Sequence, residues 1–268
     1  MAFCFWSLLS SKRTLEPVVS KVLLFFLGCV ILFVVISMFK VYDDSNFVIN
    51  YQDNLEKLVT NFVCYYKNNI NELLKKFYLG SIDKMEIRLF SDKDLLSYIP
   101  YKLGDFAGFF NNNGVNCYIN INGKKSEDDI IKAIMHEIVH HIYRFYIESD
   151  TTNRIIWFDE GLAMNFSLQN DKYNDDDNFK EFLVNKIFSI KSIPCINDLN
   201  HGGSFVNDNY NGYDLSYLVV RYLIETNSQR DFYFIMKDKD LIKSIGNNAL
   251  ESAMKYYKNK YFNTLNIK

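Results

Sequence analysis

One helix sets the terms for the rest of this chain. From Ser126 to Tyr146 the sequence runs SEDDIIKAIMHEIVHHIYRFY, and Ile131, Ile134, Met135, Ile138, Ile142 and Phe145 recur as one broad apolar stripe at helical spacing. Ser126 is placed to cap the first turn, and Glu127, Asp128 and Asp129 lie beside the positive end of the helix dipole. A helix this apolar is buried along much of its length. It nevertheless carries His136, His140 and His141, three of the chain's 4 histidines. Any fold for this sequence must take the helix into its interior together with those rings.

Residues four apart on a helix are offset by roughly 40°, so His136 and His140 project from one face and can chelate a tetrahedral zinc ion. Glu137, turned about 100° further, can accept a proton from an attacking water without ligating. His141 is roughly 140° from His136 by the same geometry and cannot complete the triangle. It reads as structural or surface-lying. The competing interpretation of His136 and His140 is a pair of hydrogen-bonded core histidines with no metal. A catalytic zinc needs a third protein ligand and an open fourth position. The segment WFDEGLAMNF supplies a candidate in Glu160, which lies at the start of, or within, another helix.

The pair HEIVH and WFDEGLA resembles the gluzincin metallopeptidases, which include the thermolysin and aminopeptidase N families and membrane-bound peptidase MA-like proteins. By that resemblance Glu160 is the third zinc ligand, beside His136 and His140, and Glu137 is the catalytic base. The likeness extends thinly from about Ala107 to Leu223. AGFFNNNGVNCYINI is similar to the family's paired strands, the last of which borders the cleft and would bind an extended peptide. YDLSYLVVRYL is similar to a helix that brings a tyrosine to the oxyanion, which implies that role for Tyr213, with Tyr210 and His201 as rivals. Two features depart from the family. Met164 stands where thermolysin-like enzymes carry an aspartate that orients a zinc histidine, leaving Asn165 or Asp159 to serve. The Gly-x-Met-Glu-Asn element that reads a free amine is absent, and no acidic residue lies between Asp105 and Glu127, which favours endopeptidase over aminopeptidase activity.

Around this centre the sequence suggests an α+β domain. Leu55, Leu58, Val59, Phe62, Val63, Tyr66, Ile70, Leu73, Leu74 and Phe77 mark an amphipathic helix over 52–79, closed by Gly80. Met85–Phe90, Phe106–Phe110 and Cys117–Ile121 read as strands, and YINI suits an edge. Helices are expected over about 158–170, 178–190, 213–226, 230–240 and 246–261, with a loop between 191 and 212. The implied fold is a zincin-like metallopeptidase domain, with a small mixed sheet and active-site helix in an upper lobe (about 51–146) and a helical lower lobe (about 147–268).

Val22–Phe39 is eighteen residues without a charge, spanning roughly 27 Å as a helix, enough for a bilayer core. Lys12, Arg13 and Lys21 precede it, and Asp43 and Asp44 follow. The positive-inside rule makes residues 1–21 cytoplasmic, 22–39 a transmembrane helix and 41–268 an extracytoplasmic domain. Lys+Arg 30 against Asp+Glu 32 leaves no basic stripe for nucleic acid. Cys64, Cys117 and Cys195 are widely spaced, which permits one bridge but no disulfide framework. The expectation is therefore a membrane-anchored zinc peptidase acting on a peptide or protein. The alternative is a tethered binding or assembly module that keeps the fold without turnover.

Overall fold

The computed structural model describes residues 39–91, 105–111, 114–144, 154–200 and 205–262. The expected transmembrane helix and cytoplasmic segment lie outside these residues, except that Phe39 opens a strand rather than ending a helix. No helix among the described residues is long and apolar enough to cross a membrane.

β1 (Phe39–Asp43) and β2 (Phe47–Gln52) form an antiparallel hairpin that lies outside the strands expected from the sequence. Asp44 closes its turn by accepting from the backbone N–H groups of Asn46 and Phe47. Helix α1 (Glu56–Lys76) then crosses over to β3 (Met85–Phe90), which pairs in parallel with β2. Strand β4 (Phe106–Asn111) and strand β5 (Gly114–Ile119) complete a mixed sheet in the order β1-β2-β3-β5-β4. The three inner strands run parallel and both outer ones antiparallel to their neighbours.

Two expectations are corrected here. Cys117–Ile121 is not the edge. Strand β5 is interior and buried at every residue, because β4 covers its open side. YINI runs past the end of β5 at Ile119 into a turn, where the Gly123 N–H donates to Asn120 O. Nor does Gly80 close α1. Tyr78, at φ 53°, takes the left-handed position, with its N–H bonded to Lys75 O and that of Leu79 to Leu74 O. Its ring packs on Tyr233 at 4.7 Å, and this contact accompanies a conformation that glycine would adopt more readily.

Helix α2 (Glu127–Tyr143) begins at the Ser126 cap, whose hydroxyl accepts from the Asp129 N–H. It lies against β4, β5 and α1, while α3 (Ile156–Phe166) packs on it from the other side. The sheet presents Phe47, Ile49, Tyr51, Met85, Ile87 and Leu89 to a continuous apolar core shared with these helices. Its opposite face is polar, with Asn50 and Arg88 both donating to Glu86.

The C-terminal half is helical, as expected, with different breaks. Helix α4 (Asp176–Phe182) continues into a wide π turn (Leu183–Ile187), and Ile196–Asn200 forms a 3-10 turn within the expected loop. Helices α5 (Gly212–Thr226), α6 (Gln229–Lys237), α7 (Lys239–Gly246) and α8 (Ala249–Phe262) follow. Asp238 splits the expected 230–240 helix, because its extended backbone and carboxylate cap α7. Helix α3 crosses α5 at close range. A Cβ at Gly161 would lie 2.5 Å from Ser216 O and 2.4 Å from Val220 Cγ2, so only glycine allows this approach. The three described cysteines are free.

Candidate metal centre

Helix α2 carries His136 and His140 one turn apart, with ring centroids 4.7 Å apart and planes at 85°. Ile134, Ile138, Val139 and Ile142 are fully buried on the same helix and fix its rotation and depth. Helix α3 delivers Glu160 to the same point: its Oε2 lies 3.2 Å from His136 Nε2 and 3.5 Å from His140 Nε2. His136, His140 and Glu160 are all buried, and each offers a donor atom within 4.8 Å of the others. His141 is not part of this group; it is half-buried, and burial and then Arg144 lower its pKa.

The donor set suits zinc. Ligands about 2.0–2.1 Å from a tetrahedral ion stand roughly 3.3 Å apart, close to the two separations found here. Nδ1 of His140 donates to Asp159 Oδ1 at 2.7 Å, which turns Nε2, 3.5 Å from Glu160 Oε2, toward the point where the three side chains meet. Nδ1 of His136 is buried without a hydrogen-bond partner among the described residues. Two imidazole nitrogens and one carboxylate oxygen leave a fourth position open, as a catalytic zinc requires.

The grouped charges also shift one another's protonation. Burial would depress the His140 imidazole, but the Asp159 and Glu160 carboxylates raise it to about 10. Burial would raise Glu160, yet the two histidines hold its carboxyl well below the usual range. Glu137 behaves in the opposite way. Burial raises it, and the pull of His140 and His136 does not offset that. Two neighbouring carboxyls thus take different protonation behaviour from their surroundings, Glu160 held toward the ionised form and Glu137 shifted toward the protonated one.

Of Asp159 and Asn165, it is Asp159 that contacts a histidine of the group, His140. Asn165 donates to Gly161 O at 2.8 Å and Tyr217 O at 3.1 Å and so ties α3 to α5. Met164 and Asn165 line a cavity of about 420 Å³ at the far end of these helices, away from the histidines. Tyr213, at the start of α5, is 40% exposed and packs edge-on against Phe205 at 4.8 Å. Burial and then the Glu160 and Glu137 carboxylates raise its phenol, so its hydroxyl feels both. Tyr210 is half-buried against the core, and His201 lies outside the described residues.

Two contributors were not anticipated. Gly108 on β4 faces Glu137 so closely that a Cβ there would lie 2.4 Å from its Cγ. A glycine inside a strand signals such close approach, though AGFF alone does not say to what. Arg154, ahead of α3, donates through Nη2 to Glu160 Oε1 at 2.9 Å and through Nε to Asp159 Oδ2. No motif spacing announces it. No family model matches the chain, and no curated protein matches its sequence.

Proposed function

We propose that this chain is a membrane-anchored, zinc-dependent metallopeptidase of zincin-like fold, an endopeptidase acting on peptides or proteins on the extracytoplasmic side. The observation that carries this reading is the buried convergence of His136, His140 and Glu160, with Glu137 buried beside them. The same pairing of HEIVH with WFDEGLA underlies the resemblance to gluzincins.

His136, His140 and Glu160 would hold the zinc ion, which would supply Lewis acidity toward the scissile carbonyl and the attacking water. Glu137 takes the proton of the attacking water and passes it to the leaving amine. Its raised pKa suits a group that must both accept and give up a proton. Tyr213 donates its hydroxyl to the developing oxyanion, and a raised phenol keeps that proton in place at neutral pH. The edge strand β4 pairs with an extended substrate as an added strand. The apolar run beginning at Val22 anchors the domain.

The test is metal content and peptide-library cleavage for the wild type beside Glu137→Gln. The wild type should hold one equivalent of zinc and cleave in a chelator-sensitive way. Glu137→Gln should keep the zinc and lose at least about 100-fold in turnover. Zinc binding without cleavage by the wild type would favour the tethered binding module instead.

A further inference from the structure

The four oxygens of Asp159 and Glu160 divide their work in the same way. Asp159 gives Oδ1 to His140 Nδ1 at 2.7 Å and Oδ2 to Arg154 Nε. Glu160 gives Oε2 to the two histidines, 3.2 Å from His136, and Oε1 to Arg154 Nη2 at 2.9 Å. One guanidinium therefore spans two carboxylates, where the common arrangement is a fork on one. Consecutive helical residues diverge by about 100°, so nothing in α3 alone would bring both carboxylates to the His140 ring. Arg154 stands just before that helix, and its side chain is 26% exposed against 2% for Asp159.

We infer that Arg154 is the positioning residue of the metal site: it holds Glu160 so that only Oε2 faces the metal position, and holds Asp159 so that His140 keeps its ligating nitrogen inward. This rests on the zinc reading above and goes beyond it by fixing the coordination number. With Oε1 occupied, Glu160 contributes one oxygen. Without the guanidinium, Oε1 is released and the carboxylate can turn both oxygens to the ion. A lysine preserves the charge but cannot reach two carboxylates with a planar fork. Charge compensation and positioning are thereby separable.

The experiment uses the full-length chain, wild type beside Arg154→Lys and Arg154→Met. The readouts are zinc affinity by chelator competition and the visible absorption of bound Co²⁺, which is intense in four-coordinate sites and fades as coordination number rises. Both variants should bind zinc about 10- to 100-fold more weakly than the wild type, with a weaker cobalt band. Arg154→Lys should keep a wild-type melting temperature to within a few degrees. A folded Arg154→Lys with unchanged affinity and spectrum would overturn the inference and leave the zinc site standing. Failure of Arg154→Lys to fold would also overturn it, by making the fork a requirement of the fold. A wild type that binds neither Zn²⁺ nor Co²⁺ would instead overturn the metal-site reading itself.

Discussion

At the scale of single residues, the site depends on what is absent as much as on what is present. Gly108 leaves room for Glu137: a Cβ there would meet Cγ at 2.4 Å, Cδ at 2.5 Å and Oε1 at 2.6 Å. The obstructing atoms belong to the flexible end of a side chain, so the fold can yield by moving the carboxylate. Gly108→Ala should therefore leave the melting temperature within a few degrees and the zinc content unchanged. Turnover of a cleavable peptide should fall by about 100-fold, the scale of loss from a 1 Å misplacement of a catalytic group. Wild-type turnover in that variant would mean that Glu137 does its work elsewhere. The residues that a spacing rule can reach were legible in advance: His136 and His140 share a helix face, and Glu160 follows from the paired motifs. Arg154 was not, because its partners are set by the path of the chain entering α3, which no periodicity records. Asp159 was legible only as one of two choices, since deciding between it and Asn165 required the rotation of α3 about its axis.

Among elements, one acidic residue on α5 links that helix to α8. Glu225 accepts from Arg221 on its own helix at 2.9 Å and from Lys260 of α8 at 2.8 Å. Burial would raise its carboxyl, but Lys260 and Arg221 prevail and lower it from 4.5. A depressed carboxyl contributes stability above its unfolded value and loses that contribution as pH falls through its folded value. The wild type should therefore lose melting temperature below about pH 4.5 more steeply than Glu225→Gln, and the two should converge in acid. Parallel acid limbs, measured by thermal melts, would show that this link adds nothing to holding α8 on α5. Element recognition succeeded where an apolar stripe ran long, as in α1 and α2, whose buried residues fall where helical spacing puts them. It failed at β1 and β2. In β2 only six residues alternate, and they sit between an apolar run and a helix that both claim the eye. It also failed at the sheet edge, because strand order is a long-range property and β5 becomes interior only when β4 folds back on it.

For the molecule as a whole, the candidate metal site is where the two halves of the chain meet. Helix α2 packs against the sheet, α3 packs against the C-terminal helices, and His136, His140 and Glu160 join the two helices. A cation bound there stabilises the native chain only, since the three ligands come together only on folding. At a free zinc concentration 100 times the dissociation constant, the linkage amounts to about 2.7 kcal/mol. For a domain of this size each kcal/mol moves the melting temperature by roughly 2–4 °C, so chelation should lower it by roughly 5–11 °C. Glu137→Gln should respond to chelator as the wild type does, because Glu137 lies beside the donor set without belonging to it. Glu160→Gln should lose most of the shift, because the amide oxygen is a poor substitute for the carboxylate that faces both histidines. The comparison of these two variants separates metal from base, which activity alone cannot do, since on the proposed mechanism both substitutions lower turnover. An equal chelator response in Glu160→Gln and the wild type would remove Glu160 from the ligand set and, with it, the feature that ties the helical half of the chain to α2.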